Sequence, residues 1–494
     1  MNTHIYINVT FSETRAAITE SGNLVELYIE RKSRPQLVGN IYKGKVGNVI
    51  PGMQAAFIDI GIGKAGFISV EDVQEDSYFD FFLEEEGLRT KKKKRKSLIQ
   101  DLLREGQEVL VQCVKEFSAG KGAKLSTNIA IPGRYLVLLG TVDLIGISRR
   151  ITKREERKRL LNLIKSAKPD GVGFIARTAS QEVEQGELQL DMNSLIRLWE
   201  DIKKRAEKKK SPALLYEEPS LYMRVARDLV SKEETRILID SEQAYQEISN
   251  YIHLNTPNFK THIDLYTDST PLFVKFGIEP EIKKIIDRKV WLKSGGYLII
   301  EEAEALTVID VNSGRYTGGF THSNTIFDIN MEAAREAAYQ IRLRNLVGII
   351  VIDFIDIKGR QKREEIFNTF IESLKKDRAR SVVLDMSSFC VVQMTRQRMR
   401  ESLITQLTDQ CNHCGGKGYV KSIETISYEI IREIISNISK PLITKIIIIA
   451  NHDVLSYLKE FEGKNLKKLA MQHEVEFIFD SKEGLQDEYE IKIQ

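Results

Sequence analysis

The sequence predicts an α/β protein of several domains, on three observations. At 494 residues the chain exceeds what one hydrophobic core usually holds. Two β-branched runs, Leu306-Thr-Val-Ile-Asp310 and Val347-Gly-Ile-Ile-Val-Ile-Asp353, flank an Ala- and Arg-rich segment of good helix formers. That order reads as strand, helix, strand, with the two strands parallel and the crossover right-handed. Far upstream, short strands with glycine-rich turns read as a small closed barrel.

Taken in order, residues 3–9 and 14–30 alternate like strands of one small sheet. Residues 37–125 form the barrel, with an acidic-then-basic interruption at 75–97 that ends in Lys91-Lys-Lys-Lys-Arg-Lys96. No apolar period runs through this interruption, so it reads as a loop. It is either a solvated charge run or an arm that binds phosphates. Residues 126–221 mix strands and helices, including a basic helix at 153–166. Residues 222–285 alternate strands and helices again and lead into the strand–helix–strand core at 286–407. A helix over 361–376 carries Ile366, Phe367, Phe370, Ile371 and Leu374 at helical spacing and should pack on that sheet. Glycines 415, 416 and 418 mark a boundary near 408–419, and 420–494 reads as a small terminal α/β domain.

Composition excludes several classes. A hydrophobic content of 42% and a charged content of 29% suit a soluble globular protein. The net charge of +3 makes any nucleic-acid surface local. Four cysteines rule out a disulfide framework and suit a reducing cytoplasm. The first residues lack the pattern of a signal peptide, and the apolar runs are too short to span a bilayer.

The chemistry concentrates at the two strand ends. An aspartate after a buried strand is often only a turn starter. Here Asp310 and Asp353 end neighbouring strands, where α/β ligands bind. Two such carboxylates repel each other and favour a hard divalent ion such as Mg²⁺. Asp310 is followed by Val-Asn312-Ser313-Gly314-Arg315, groups that can orient and neutralise a phosphate. Asp377-Arg378-Ala-Arg380 precedes a strand that could bring a guanidinium to the pair. Cys411-Asn-His-Cys414 reads as half of a zinc site, with a redox pair as the rival. With only two well-spaced thiolates per chain, four-coordinate zinc calls for a second chain. Cys113 and Cys390 read as inert core residues. The basic run 394–400 reads as a helix with Arg396 and Arg400 on one face.

The barrel segment resembles the S1 RNA-binding domain, an OB-type fold that stacks bases on aromatics beside lysines. Phe57, Phe67, Tyr42, Lys43 and Lys115 are the candidates, although phenylalanines are usually core. With Asp310-Val-Asn312-Ser313, Asp353-Phe-Ile-Asp356, Cys411-x-x-Cys414, Arg177-Thr178 and Gly146-Ile-Ser-Arg149-Arg150 in this order, the chain over residues 1–420 resembles the bacterial ribonuclease E/G family. It is most similar to the ribonuclease G branch, which lacks a long degradosome scaffold tail. The resemblance implies an RNase H-like subdomain from 1–36 and 222–285, with an S1 domain (37–125) and a 5′-sensor domain (126–221) inserted. It further implies a DNase I-like catalytic subdomain (286–407), the zinc link and a small C-terminal domain. By resemblance, Asp310 and Asp353 hold Mg²⁺, Asn312 bonds the scissile phosphate, and Arg380 lies beside that site. Arg177 and Thr178 hold a 5′-monophosphate, Gly133 and Val137 flank the terminal base, and Arg149 and Arg150 bind RNA nearby. Phe57, Phe67 and Lys115 become RNA contacts rather than core residues. The implied activity is Mg²⁺-dependent cleavage of single-stranded RNA, in rRNA processing and mRNA decay, by a zinc-linked dimer or tetramer in the cytoplasm. A non-catalytic S1-type RNA-binding protein and a DNA nuclease are the rival readings. The S1 unit disfavours the second.

Overall fold

A computed structural model describes residues 3–33, 36–73, 97–115, 122–228, 235–255, 262–314, 322–397, 400–438, 443–482 and 488–494. The basic run Lys91–Lys96 and Arg315 fall outside the described residues. The chain divides into two compact units, Met1–Gln406 and Leu407–Gln494. The cysteine turn therefore belongs with the terminal unit, and the boundary lies ahead of 408.

Among the described residues, the first unit holds four sheets. In one, Thr3–Val9, Glu13–Glu20 and Asn23–Arg31 form an antiparallel meander, and Thr235–Ile239 and His262–Leu265 extend it in parallel. Ile5, Ile7 and Ile18 pack there against Ile237, Ile239 and Ile248, so segments far apart in sequence share one core. The second sheet is a closed five-stranded barrel. Ile41–Ile50, Ala55–Asp59, Gly66–Ser69, Lys124–Ser126 and Glu108–Lys115 follow one another, and the last pairs back onto the first. Alternation drives Ala56, Ile58 and Ile68 inward. Ala213–Tyr216, from the far end of the 126–221 segment, pairs onto Ile41, Tyr42 and Lys43 at the start of the barrel's first strand. In the third sheet, Ile145–Ile147, Gly173–Ala176, Leu136–Leu139 and Ala130–Pro132 lie side by side. They share a core with Leu160 and Ile164 of helix Arg154–Ala167 and with Leu188, Met192, Leu195 and Trp199 of helix Gln185–Lys208.

The fourth sheet has the order Lys289–Trp291, Tyr297–Glu302, Leu306–Asn312, Gly348–Asp353, Val391–Arg396, Ser381–Val383. Leu306–Asn312 and Gly348–Asp353 run parallel, as their spacing predicts, joined through helix His322–Leu343. Ile309, Val311, Ile350, Ile352 and Val392 point into a core with Ala333, Ala334, Ala337 and Ile341 of that helix. Ile366, Phe370 and Leu374 of helix Arg360–Leu374 complete the core. The alanines let helix backbone and sheet approach closely. Residues of opposite parity, among them Asp310, Asn312 and Asp353, are left on the partly exposed face.

In the second unit, Lys445–Ala450 lies between Glu476–Ser481 and Glu490–Ile493. Ile426, Ile430 and Ile434 of helix Ile423–Ile438 pack on Ile446 and Ile448. Helices His452–Phe461 and Gly463–His473 contribute Val454, Leu458 and Leu466. No described helix is long and apolar enough to cross a membrane.

Candidate active site

The parallel register sets Asp310 directly opposite Asp353. Directly opposed residues of neighbouring strands share a face, about one strand spacing, roughly 4.7–4.9 Å, apart. Asn312 lies two residues on from Asp310, hence on the same face, and its Nδ2 donates to Asp310 Oδ2 at 2.8 Å. Burial, the charge of Asp310 and then that of Asp356 push the Asp353 carboxyl above the usual range. Among the described residues, the charges that act on Asp353 are thus those of other carboxylates. Such a donor set fits a divalent cation held by few carboxylates and several waters. Among the described residues, no three His, Cys, Asp or Glu side chains gather into a fuller metal cage. Gly314, with φ +61°, follows Asn312-Ser313 where a Cβ would lie 2.2 Å from Gly295 O. Only glycine lets that turn close against the 292–296 turn.

Arg380 is not beside these carboxylates within one chain. Ser381 pairs with Arg396, whereas Asp353 pairs with Val391. Arg380 therefore lies more than about 16 Å up the sheet, at about 3.3 Å per residue, and two strands across. The same segment meets Arg150 instead, whose Nη2 donates to Arg378 O at 2.6 Å. Residues 394–396 are strand, not the expected helix, and 398–399 lie outside the described residues. Arg396 ends strand Val391–Arg396 and is buried, its Nε 2.6 Å from Asp377 Oδ2. That carboxylate, with Asn345 Oδ1 and Leu346 O, satisfies a charge that would otherwise seek water.

A second constellation surrounds Arg177 and Thr178, which follow strand Gly173–Ala176. Ser148 and Thr178 hydroxyls lie 2.9 Å apart. Arg177 Nη1 donates to Gly133 O at 2.5 Å and to Asp228 Oδ1 at 2.7 Å. Burial opposes the Asp228 charge, but Arg177 and Arg227 outweigh it and hold that carboxyl below the usual range. The Gly133 turn is fixed from behind by Asp191, which accepts the backbone N–H groups of Arg134, Tyr135 and Leu136 at 3.2, 2.9 and 2.9 Å. A Cβ on Gly133 would meet both Asp191 carboxylate oxygens at 2.7 Å. Val137 is packed with Ala130, Leu139 and Ile175 and keeps only 6% of its surface. Arg149 and Arg150 are exposed on the turn after Ile147.

On the barrel, register makes one row of Phe57, Phe67, Lys124 and Lys115, each opposite the next. The phenylalanines are half-buried on the outer face, with ring centroids 6.0 Å apart, while their neighbours Ala56, Ile58 and Ile68 fill the core. Tyr42 and Lys43 are not in the row. Tyr42 is in the core, and Lys43 pairs with Glu108 at 2.8 Å. Lys124, Asp191 and Asp228 escaped the sequence reading. Each sits in no motif, and only pairing or packing brings it to its partner.

In the terminal unit Cys411 is exposed and Cys414 half-buried, on a turn that ends well before helix Ile423–Ile438. Gly418 N donates to Cys414 Sγ at 3.3 Å, which pulls that thiol below its usual range. The thiolate-favouring turn fits a metal ligand. A redox pair would instead use a helix N-terminus, which this turn lacks.

Paired carboxylates near the ends of two central strands, an aromatic–lysine row and an arginine–threonine pair fit an enzyme that acts on nucleic acid. Comparison with known proteins agrees. The Ribonuclease E/G family model matches residues 130–399, and a model described as RNase E/G, Thioredoxin-like domain, matches 410–494. Ribonuclease G of Escherichia coli K12 is 40% identical over 437 residues, covering 88% of each chain. Ribonuclease G of Haemophilus influenzae is 41% identical over 431 residues, covering 87% of each. Ribonuclease E of E. coli K12 is 37% identical over 456 residues, 92% of this chain and 42% of that protein. The chain belongs to the ribonuclease E/G family and is an endoribonuclease.

Proposed function

We propose that this chain is a Mg²⁺-dependent endoribonuclease that cleaves single-stranded RNA to 5′-phosphate and 3′-hydroxyl ends and is stimulated by a 5′-monophosphate. Its work would be rRNA processing and mRNA decay in the cytoplasm. The observation that carries this reading is the Asp310–Asp353 register with Asn312 beside it. Asp310 and Asp353 would hold the ion. When bound, Mg²⁺ supplies charge stabilisation at the phosphoryl oxygen and a water of lowered pKa. Asn312 bonds to Asp310 and would turn its amide toward the scissile phosphate, aligning it for in-line attack. Arg177 and Thr178 would bind the 5′-phosphate, with Arg149 and Arg150 following the strand. Phe57, Phe67 and Lys115 would stack and hold unpaired bases, which favours single strands. Cys411 and Cys414 would share a zinc ion with a second chain.

The test is cleavage of a 5′-monophosphorylated single-stranded RNA with and without Mg²⁺, beside its DNA counterpart. Asp310→Asn and Asp353→Asn should each abolish cleavage and leave RNA affinity within about threefold, because the barrel row is untouched. Mg²⁺-independent cleavage, or a variant that still cuts but binds tenfold worse, would sink the assignment. A non-catalytic S1-type binding protein would bind and never cut.

A further inference from the structure

Two strands from Asn312, the catalytic sheet carries aromatic rings that none of the chemistry above uses. Trp291 pairs with Tyr297, and Tyr297 pairs with Asn312. Opposed residues share a face, so both rings stand on the face of Asp310, Asn312 and Asp353. Leu298 and Ile300 point the other way, into the core. Trp291 lies on the edge strand and is 63% exposed. Its ring meets Tyr297 edge-on at 5.3 Å. Lys289 Nζ sits 3.8 Å from the Trp291 ring centroid and 3.6 Å from that of Tyr297. One cation thus braces two rings, a geometry that orients them and adds a positive charge for a phosphate.

A packing role does not account for this cluster, since most of the indole faces water. Two strand spacings, about 10 Å, separate the indole's strand from that of Asn312. That is the reach of a nucleotide flanking the bond held at the carboxylates. Ring-plus-cation platforms are what single strands stack on, because every base has a π-face. We propose that Trp291, braced by Tyr297 and Lys289, stacks a base that flanks the scissile phosphate and holds the strand along the catalytic row. This rests on the reading of Asp310, Asn312 and Asp353 as the active site.

The chain has two tryptophans, and Trp199 is buried, so fluorescence quenching by RNA reports on Trp291. The Asp310→Asn protein is titrated with a short 5′-monophosphorylated single-stranded RNA. The titration is repeated with the same RNA made abasic at single positions on either side of the cleavage site. Quenching should occur and vanish for one flanking abasic position. In the active protein, Trp291→Ala should raise KM about thirtyfold, the middle of the range for one stacked base. kcat should change less than threefold, and Trp291→Phe should restore KM. Absent quenching, or an unchanged KM in Trp291→Ala, overturns the platform. A shift in sedimentation with KM unchanged also overturns it and makes a second copy of the chain the occupant. Persistent cleavage by Asp310→Asn would instead bring down the active-site reading, so the two failures are distinguishable.

Discussion

Arg177 shows how one side chain's role depends on its counter-ion. The Arg-Thr pair was legible as a phosphate motif through the family resemblance, but Asp228 was not, because it lies in an unrelated segment. Its carboxylate holds the guanidinium from one side while Gly133 O holds it from another. A 5′-phosphate would therefore meet an oriented arginine and compete with Asp228 for its charge. Arg177→Ala should slow cleavage of 5′-monophosphorylated RNA at least tenfold more than that of 5′-hydroxyl RNA, because a terminal phosphate alone engages the fork. Equal slowing of both would remove the sensor role. The Asp228 carboxyl is depressed in the fold, so its stabilisation is present above the ordinary aspartate pKa of about 3.9. It is lost as pH falls through the lower folded value. Asp228→Asn should cost about 2 kcal/mol at neutral pH, less than the ~3–5 kcal/mol of a fully buried pair, since both partners are about a quarter exposed. Its melting temperature should also fall less steeply under acid than that of the wild type. Parallel acid profiles would show that the pair contributes nothing.

At the scale of elements, strand register does the placing. Phenylalanine alone does not announce whether it is core or surface, and the period-2 pattern around Phe57 permits both. Pairing decides it, because Phe57, Phe67, Lys124 and Lys115 fall into one row above a core of Ala56, Ile58 and Ile68. Phe67→Ala should weaken binding to single-stranded RNA by about 1–3 kcal/mol with an unchanged salt slope, since it removes stacking and no phosphate contact. Lys115→Ala should lower the slope of log K against log salt by about 0.7, the value for one phosphate contact on a single strand. If the two variants behave alike in salt, the division of labour in the row is wrong. Register also removed Arg380 from the carboxylates, and pairing to Asp377 turned Arg396 from an expected helix face into a buried strand end.

For the whole molecule, the question is how chains associate. The terminal unit carries Cys411 and Cys414 on an exposed turn, and Cys113 and Cys390 are buried elsewhere. A four-ligand zinc site then needs two chains. Zinc should bind at one ion per two chains, as metal analysis against protein concentration will read. Its binding energy would be shared with assembly. Cys411→Ser with Cys414→Ser should lose the metal and sediment toward monomer. One zinc per chain, or an unchanged oligomer in the double variant, would dissociate the cysteines from assembly.

The sequence by itself determined what was local. β-branched runs marked the strands, alanine marked the helix between them, and Asp310, Asn312, Asp353 and Cys411-x-x-Cys414 stood in short motifs whose chemistry is carried by neighbours in the chain. Tertiary structure alone decided what depends on partners far along it. It fixed the register that pairs Asp310 with Asp353 residue for residue, gave Arg177 its counter-ion, and lined Trp291 and Tyr297 up with Asn312. The reason is physical: a side chain's type and period follow from its own segment, but which groups it faces follows from register and packing between segments, and no local pattern encodes these.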